Sequence, residues 1–482
     1  MGLLVGVGTT RPTYAYDYYY GIEWDTTVSN PKPTRVGKNE LHQSLPLQSL
    51  MRRCVLNDDG TVNYYLSANN SIYRDNSASA MLDGSHGQVM VELPDMYVRF
   101  EADGTKRRAL MSTQALPGFI KWSKDYVSAY ETTVERATNK LASVVNTTAA
   151  YRGGGNQTAW DALSKTLLGK PVTDTSLTNF RTYARNRGSV NWNCYTYQMH
   201  RKLFWLFAVE YANFNSQDAY NAALTTDGYK QGGLGLGVTT IDGTKINSYN
   251  SGYPFIPCGY TNSLGNKTGV ISFTMPFEYD SNYSAGYVGA YNASTAYVAG
   301  NYVSSGELLY VCVLASTGNA VTNTTYFSPI TRTTVSVPSY RGIENPFGHI
   351  QKFVDGCKVN IQSDASGGIT EFYVCDTPAN FTSSGIANYK LRGNMPRTDG
   401  YIKELVLGEF GDIAPLSVGA GSTTYFCDYT FITKPDSSIV EKAICFGGSS
   451  AFGVYCGLLD LYTNIYSYNV HPSIGSRLCF IP

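Results

Sequence analysis

Along most of the chain, apolar and polar positions alternate with the period of two that marks half-buried β-strands. Val62-Asn63-Tyr64-Tyr65-Leu66 follows Asn57-Asp58-Asp59-Gly60, and Asp103-Gly104 separates Tyr97-Val98-Arg99-Phe100 from Arg108-Ala109-Leu110-Met111. Asp-Gly pairs tolerate the positive φ angles of tight turns, so both stretches predict hairpins. This β pattern runs from about residue 38, resumes at 334 and continues to Pro482. Ahead of it, Tyr14, Tyr16, Tyr18 and Tyr20 alternate, which predicts a strand with one tyrosine-lined face. Residues 1–37, rich in Pro and aromatics, form an expected N-terminal arm or attachment segment.

The period changes to that of a helix in two places. The first runs roughly from Ser176 to Asn186, after Asp174 and Thr175 and before Gly188, with Leu177, Phe180 and Ala184 on one face. The second, roughly Tyr197 to Asn213, is apolar almost all round through Leu203, Phe204, Leu206, Phe207 and Val209, as a helix buried within a domain must be. Gly232-Gly233-Leu234-Gly235-Leu236-Gly237 then follows a helix and precedes a strand-like Val238-Thr239-Thr240. A phosphate-binding loop needs the opposite order, strand then helix.

Between 287 and 333 the composition shifts to a compact unit running from Tyr291-Asn292-Ala293-Ser294 through Gly300-Asn301-Tyr302-Val303 to Thr325-Tyr326-Phe327-Ser328-Pro329. It resembles the small three-stranded carbohydrate-binding modules of the chitin-binding kind, which recur as appendages of phage fibres and secreted hydrolases. That family usually carries Trp where this chain has Phe327. The resemblance therefore implies a surface spacer or contact knob at least as readily as a sugar platform.

Composition narrows the function classes. Of 482 residues, 37 are Lys or Arg and 37 are Asp or Glu, with no basic block, so the electrostatic footprint of a nucleic-acid binder is missing. No run reaches the ~18 apolar residues of a membrane span. Met1-Gly2-Leu3-Leu4-Val5-Gly6 has neither a basic region nor an apolar core long enough for a secretory signal, and Gly6 breaks the myristoylation pattern. The 10 cysteines lack C-x-x-C spacing and are expected to be buried free thiols. The 39 tyrosines, with abundant Asn, Ser, Thr and Gly, form a palette common to edge-rich β proteins and to binding surfaces.

Catalytic chemistry is sparse. His42, His86, His200, His349 and His471 never lie within four residues of one another, so no zinc-ligand spacing arises and no metal or cofactor is expected. A G-x-S-x-G elbow is absent. Asp58 and Asp59 are the nearest approach to paired carboxylates, and neighbours on a turn point apart. An acid pair assembled by folding, as in a glycan hydrolase, stays open.

Phe180-Arg181-Thr182-Tyr183-Ala184-Arg185 followed by the stretch from Met199-His200-Arg201 to Tyr211-Ala212 resembles the two-helix part of the C-type lectin-like fold. The version is that shared by formylglycine-generating enzymes and by the variable proteins of diversity-generating retroelements. Tyr340-Arg341-Gly342-Ile343-Glu344-Asn345-Pro346-Phe347-Gly348-His349-Ile350 and the ending from Cys445-Phe446-Gly447-Gly448 to Ile474-Gly475-Ser476-Arg477-Leu478-Cys479-Phe480 resemble the variable proteins more closely. The resemblance implies an α+β C-type lectin-like domain, discontinuous over 38–286 and 334–482, with 287–333 inserted and a variable region at about 447–478. The Glu-Pro-Asn, Gln-Pro-Asp and Trp-Asn-Asp tripeptides of the calcium-dependent sugar-binding branch do not occur. Cys456 and Cys479 lack the pattern around the cysteine pair of the enzyme branch.

Such retroelements rewrite adenines, typically in AAC codons, which gives any codon ending in C and excludes Lys, Glu, Gln, Met and Trp. None of these five occurs between Gly447 and Leu478, whereas Lys434, Glu441 and Lys442 lie just upstream. The expected receptor-contacting residues are Ser449, Ser450, Ala451, Phe452, Val454, Tyr455, Asp460, Tyr462, Thr463, Ile465, Tyr466, Tyr468, Val470, His471 and Pro472. They are expected to project outward around the fixed Gly457-Leu458-Leu459 and Ile474 to Leu478, with Asn464 and Asn469 as sites left unchanged or rewritten back to Asn.

The function so implied is that of a non-enzymatic phage receptor-binding protein, a homotrimer carried by a tail fibre or other virion appendage and assembled in the host cytoplasm. It would attach to other fibre or baseplate proteins through its N-terminal region and grip a bacterial surface receptor, protein or glycan. A cell-encoded diversified adhesin, a fibre-borne glycan hydrolase and a structural head-fibre protein are the alternatives.

Overall fold

A computed structural model describes residues 13–241, 243–276, 285–306, 308–423 and 426–482. About 35% of the chain is strand and 15% helical, distributed over several sheets and a nearly closed barrel. This overturns the expected α+β C-type lectin-like fold. Strands dominate, only five α-helices occur among the described residues, and three of these have eight residues or fewer. The two helices that suggested the resemblance do form, but they serve a multi-sheet β architecture. A local helical period specifies a helix and not the sheet that it packs against.

Among the described residues, six sheets hold two to nine strands. The largest takes, in spatial order, Lys390–Asn394, Thr370–Val374, Gln351–Gln362, Ile439–Phe446, Leu461–Ile465, Tyr429–Phe431, Gly400–Leu407 and Asp412–Gly419, with Ile474–Gly475 paired in parallel beside Gln351–Gln362. It curls until its edges approach. Arg392 on one edge strand reaches Asp412 on the other at 3.9 Å, so the barrel is closed by side chains where the backbone ladder ends. A six-stranded sheet brings Trp192–Cys194, Leu478–Phe480, Asp125–Ser128, Gln88–Leu93, Arg52–Leu56 and Val62–Tyr65 together. The chain end is thereby a central strand of a second sheet.

Both anticipated hairpins form: Arg52–Leu56 pairs with Val62–Tyr65 across the Asn57–Gly60 turn, and Met96–Asp103 with Lys106–Ser112 across Asp103-Gly104. The N-terminal region differs from its reading. Thr13–Tyr18 is a 3-10 helix, so the tyrosine alternation does not make a strand there. Tyr20–Asp25 and Thr34–Gly37 are integral strands of a five-stranded sheet with Lys106–Ser112, Met96–Asp103 and Ile120–Trp122, and Tyr20, Ile22 and Trp24 are core residues. Only part of 1–37 can act as an arm, and Met1-Gly2-Leu3-Leu4-Val5-Gly6 lies outside the described residues. Gly237–Thr240 is likewise a 3-10 turn where a strand was read.

The helix Leu177–Arg185 begins where Ser176 Oγ accepts a hydrogen bond from the Asn179 N–H. The helix Tyr197–Tyr211 is capped in the same way by Thr196, ends on Ala212 in the left-handed region, and buries almost every side chain. It lies at the centre of the molecule: Trp205 packs on Trp24 and Phe100 of the five-stranded sheet, and Tyr197 on Phe372 and Phe446 of the barrel. Its buried charged residues each have an ion-pair partner. Arg201 pairs with Asp412 at 3.0 Å, Lys202 with Asp125 at 3.4 Å and Glu210 with Arg341 at 2.5 Å. Buried charges persist only with such partners.

Strands Tyr287–Ala290, Tyr302–Ser305, Leu308–Cys312 and Phe327–Ile330 form a separate four-stranded sheet with its own core of Tyr297, Val303, Tyr310, Cys312, Val321 and Phe327. Phe327 is fully buried between Tyr291 and Tyr297, so it is a core residue of the unit and offers no face to a sugar. All ten cysteines are unbridged, nine of them buried.

Candidate recognition site

The C-terminal segment leaves the barrel strand Ile439–Phe446 through Gly447-Gly448, makes a kinked pair of 3-10 turns over Ser450–Tyr455, and re-enters the barrel as Leu461–Ile465. Gly448 has φ +64°, and a Cβ there would lie 2.4 Å from Cys456 Sγ. At Gly457 a Cβ would lie 2.0 Å from Asp428 Oδ1. Both positions need glycine for the segment to fold down onto the sheet.

The stretch from Ile474 to Phe480 is rigidly held. The Arg477 guanidinium, fully buried, donates to the carbonyls of Ser128 (3.1 Å), Glu344 and Asn345 (2.8 Å). Ser476 Oγ donates to the Phe353 carbonyl at 3.0 Å. The stretch from Tyr340 to Ile350 and the chain end, read separately in the sequence, therefore meet in space. Around them, Arg341 and Tyr340 hold Glu210, and the Glu344 carboxylate accepts from the N–H groups of Gly259 and Thr261. His349 Nδ1 lies 2.5 Å from Glu131 Oε2 and Lys352 Nζ 2.9 Å from Oε1. Burial alone would raise the Glu131 carboxyl, but Lys352 and His349 pull it down to about 2.

Above this anchored base the segment builds a recess of about 500 Å³, within the range of small-molecule sites. Most of its lining comes from residues 449–474; the helix Gly243–Asn250 adds Gly243, Ile246 and Asn247, with Gly252 just beyond it, and the barrel adds Gln351. Next to it lies an aromatic shelf. Phe431 packs on Phe452, Tyr455 and Tyr462 with ring centroids 5.0–5.9 Å apart, and Tyr401 and Tyr429 extend the cluster through Tyr455. Beyond the turn, Tyr466 and Tyr468 stack at 5.1 Å, with Lys442 Nζ 3.5 Å above the Tyr466 ring.

The anticipated contact residues divide. Ala451, Val454, Tyr455, Tyr468, Val470 and His471 are exposed, and Phe452, Tyr462, Tyr466 and Pro472 are half-buried. Ser449, Ser450, Asp460, Thr463 and Ile465 are buried, so the expectation that every one of these side chains projects outward needs correction. The reason is the pleat: along Leu461–Ile465, positions 461, 463 and 465 face inward and Tyr462 and Asn464 outward. Asn464, read as a site left unchanged or rewritten back to Asn, lines the recess together with Asn469. Ser449, Ser450 and Ile465 also line it despite their burial, as its floor.

Sequence reading missed the non-local contributors. Ile246, Asn247, Gln351, Tyr401, Tyr429 and Phe431 are brought in by tertiary pairing alone, and no spacing in the chain connects them to the tail. It also missed a buried pair of carboxyls. Asp428 and Asp460 are fully buried, and burial drives both well above the usual carboxylate range. Asp428 Oδ2 accepts from the Leu459 N–H at 2.6 Å. Asp58, by contrast, pairs with Arg187 and Lys140, and Asp59 accepts from Thr61 within its turn. Burial pushes the thiols of Cys456 and Cys479 up, and Cys456 donates to the Ser449 carbonyl.

Among the described residues no group of three or more His, Cys, Asp or Glu could hold a metal ion, and no helix is long and apolar enough to cross a membrane. No family model matches the chain, and no curated protein shows significant similarity to it.

Proposed function

We propose that this chain is a receptor-binding protein of a phage virion, whose segment 447–478 is a variable surface rewritten by a diversity-generating retroelement. The observation that carries the reading is a coincidence of two independent features. The stretch free of Lys, Glu, Gln, Met and Trp is the same stretch that supplies most of the recess and half of the aromatic shelf. Rigid aromatic side chains with Ser and Asn around them make contact area at little cost in conformational entropy. The base under them is fixed by main-chain acceptors and by Arg477, so side chains above it can change without disturbing the backbone. Substitutions at exposed positions of this kind typically shift stability by less than ~0.5 kcal/mol.

Deep sequencing of the 3′ end of the gene in a growing population tests the proposal. Adenine-directed changes are expected at the codons of Ala451, Phe452, Val454, Tyr455, Tyr462, Tyr468 and Val470, with 474–478 constant. A uniform sequence sinks diversification. Adsorption tests the surface itself: the Tyr455→Ala/Tyr468→Ala double variant should bind host cells at least about tenfold more weakly.

A further inference from the structure

We infer that the recess beside the aromatic shelf takes a neutral saccharide and does so without a bound cation, an assignment that rests on the receptor-binding reading and specifies its ligand. Four observations carry it. First, among the described residues the lining contains no Asp, Glu, Lys or Arg, although the chain carries 74 such residues in all. A charged ligand would enter without a counter-charge, which is costly away from water. His471 lies at the exposed rim, where its Nδ1 is 2.8 Å from the Ser473 hydroxyl.

Second, the polar groups that line the recess are amides and hydroxyls: Asn247, Asn464, Asn469, Ser449 and Ser450, with Gln351 beneath. Such groups both donate and accept, as the hydroxyls of a sugar require. Third, Gln351 is 3% exposed and its Nε2 has no hydrogen-bond partner among the described residues. A buried donor without an acceptor, placed in the floor of a recess, is satisfied when a ligand hydroxyl accepts from it. Fourth, Phe452 and Tyr462 form one wall, with ring centroids 6.2 Å apart and planes inclined by 38°. Their faces suit the apolar C–H face of a pyranose, and the ~500 Å³ volume holds a short oligosaccharide. With no carboxylate among the described lining residues, a calcium ion would find no anionic ligand there.

The test uses the full chain and immobilised polysaccharides: neutral glucans, galactans and mannans on one side, polyuronates on the other. Expected is binding to at least one neutral polymer that survives chelation by EDTA, with no comparable binding to the polyuronates. Phe452→Ala, and Val470→Trp at the exposed mouth, should each weaken it tenfold or more. Gln351→Glu, nearly isosteric, should abolish it, and Gln351→Leu should weaken it without changing which polymer is preferred. On host cells, periodate oxidation should remove attachment and protease treatment should leave it. Loss on protease treatment alone, or preference for the charged polymers, overturns the saccharide assignment while leaving receptor binding in place. Cell attachment that Phe452→Ala and Val470→Trp leave unchanged overturns the receptor-binding surface itself.

Discussion

Asp460 sits among the codons that a retroelement can rewrite, yet its carboxyl is fully buried beside that of Asp428 and touches no solvent. Its raised folded pKa means that the fold favours the protonated acid. The stability so gained is complete below the unfolded carboxylate range and is lost as pH rises through the folded value. Asp460→Asn removes the titration and should raise stability at neutral pH by about 1–3 kcal/mol, the scale for an uncompensated buried polar group. Thermal melts should show the gain growing as pH rises above the ordinary carboxylate range, with adsorption unchanged. Tyr462 illustrates the opposite coupling: it packs on Phe431 and Phe452, so Tyr462→Ala should lower both attachment and the melting temperature. Tyr468, 67% exposed, should affect attachment alone when changed to Ala. These distinctions come from the pleat and the packing, which codon arithmetic does not contain.

The central helix Tyr197–Tyr211 was the most legible element in the chain, because an all-round apolar period has few other solutions. Its cost appears at His200. The imidazole donates from Nε2 to the Leu458 carbonyl at 2.7 Å and lies against Phe446, and burial lowers it to about 3. His42, similarly buried, is lowered to about 4. In the unfolded chain both protonate near 6.5, so acidification favours unfolding. The stability that they hold at neutral pH is lost progressively as pH falls from about 6.5 toward these folded values, at about 1.4 kcal/mol per unit for each group while only the unfolded form is protonated. Glu131, depressed to about 2, extends the same loss below pH 4.5. Denaturant titrations between pH 7 and pH 4.5 should therefore steepen downward, and His200→Gln should flatten the slope by about one proton. The tail strand was less legible at the same scale: Leu461–Ile465 alternates cleanly, but which parity faces outward is set by its neighbours in the barrel.

For the whole molecule, the unit at 287–330 grows from a place that a hairpin turn could occupy. Gly269–Thr274 and Thr334–Tyr340 pair in antiparallel register with Thr274 opposite Thr334, and the Met275 N–H donates to the Thr333 carbonyl at 2.9 Å. Replacing 276–332 by Asn-Gly should leave a folded protein with unchanged melting temperature, because a two-residue turn closes such a pair. Unfolding of that variant would show the unit to be part of the main core. A homotrimer is expected from the resemblance alone, and a native mass near three times 52.8 kDa in light scattering would support it, a mass near 52.8 kDa refute it.

By itself the sequence determined the strand-rich character, the two hairpins, the positions of both helices, the shift in composition around 287–333, and the compositional singularity of the tail. Each of these is encoded within a window of a few dozen residues, where period and turn chemistry act directly. Tertiary structure alone decided the architecture. Nothing local records that Thr13–Tyr18 turns as a 3-10 helix, that the strands after it join a five-stranded sheet, or that the largest sheet curls into a barrel. Nor does anything local place Gln351, Asn247 and Phe431 beside Tyr462, or bury Asp460 against Asp428. Those outcomes depend on pairings between residues tens to hundreds of positions apart, whose register is chosen by the burial of whole faces.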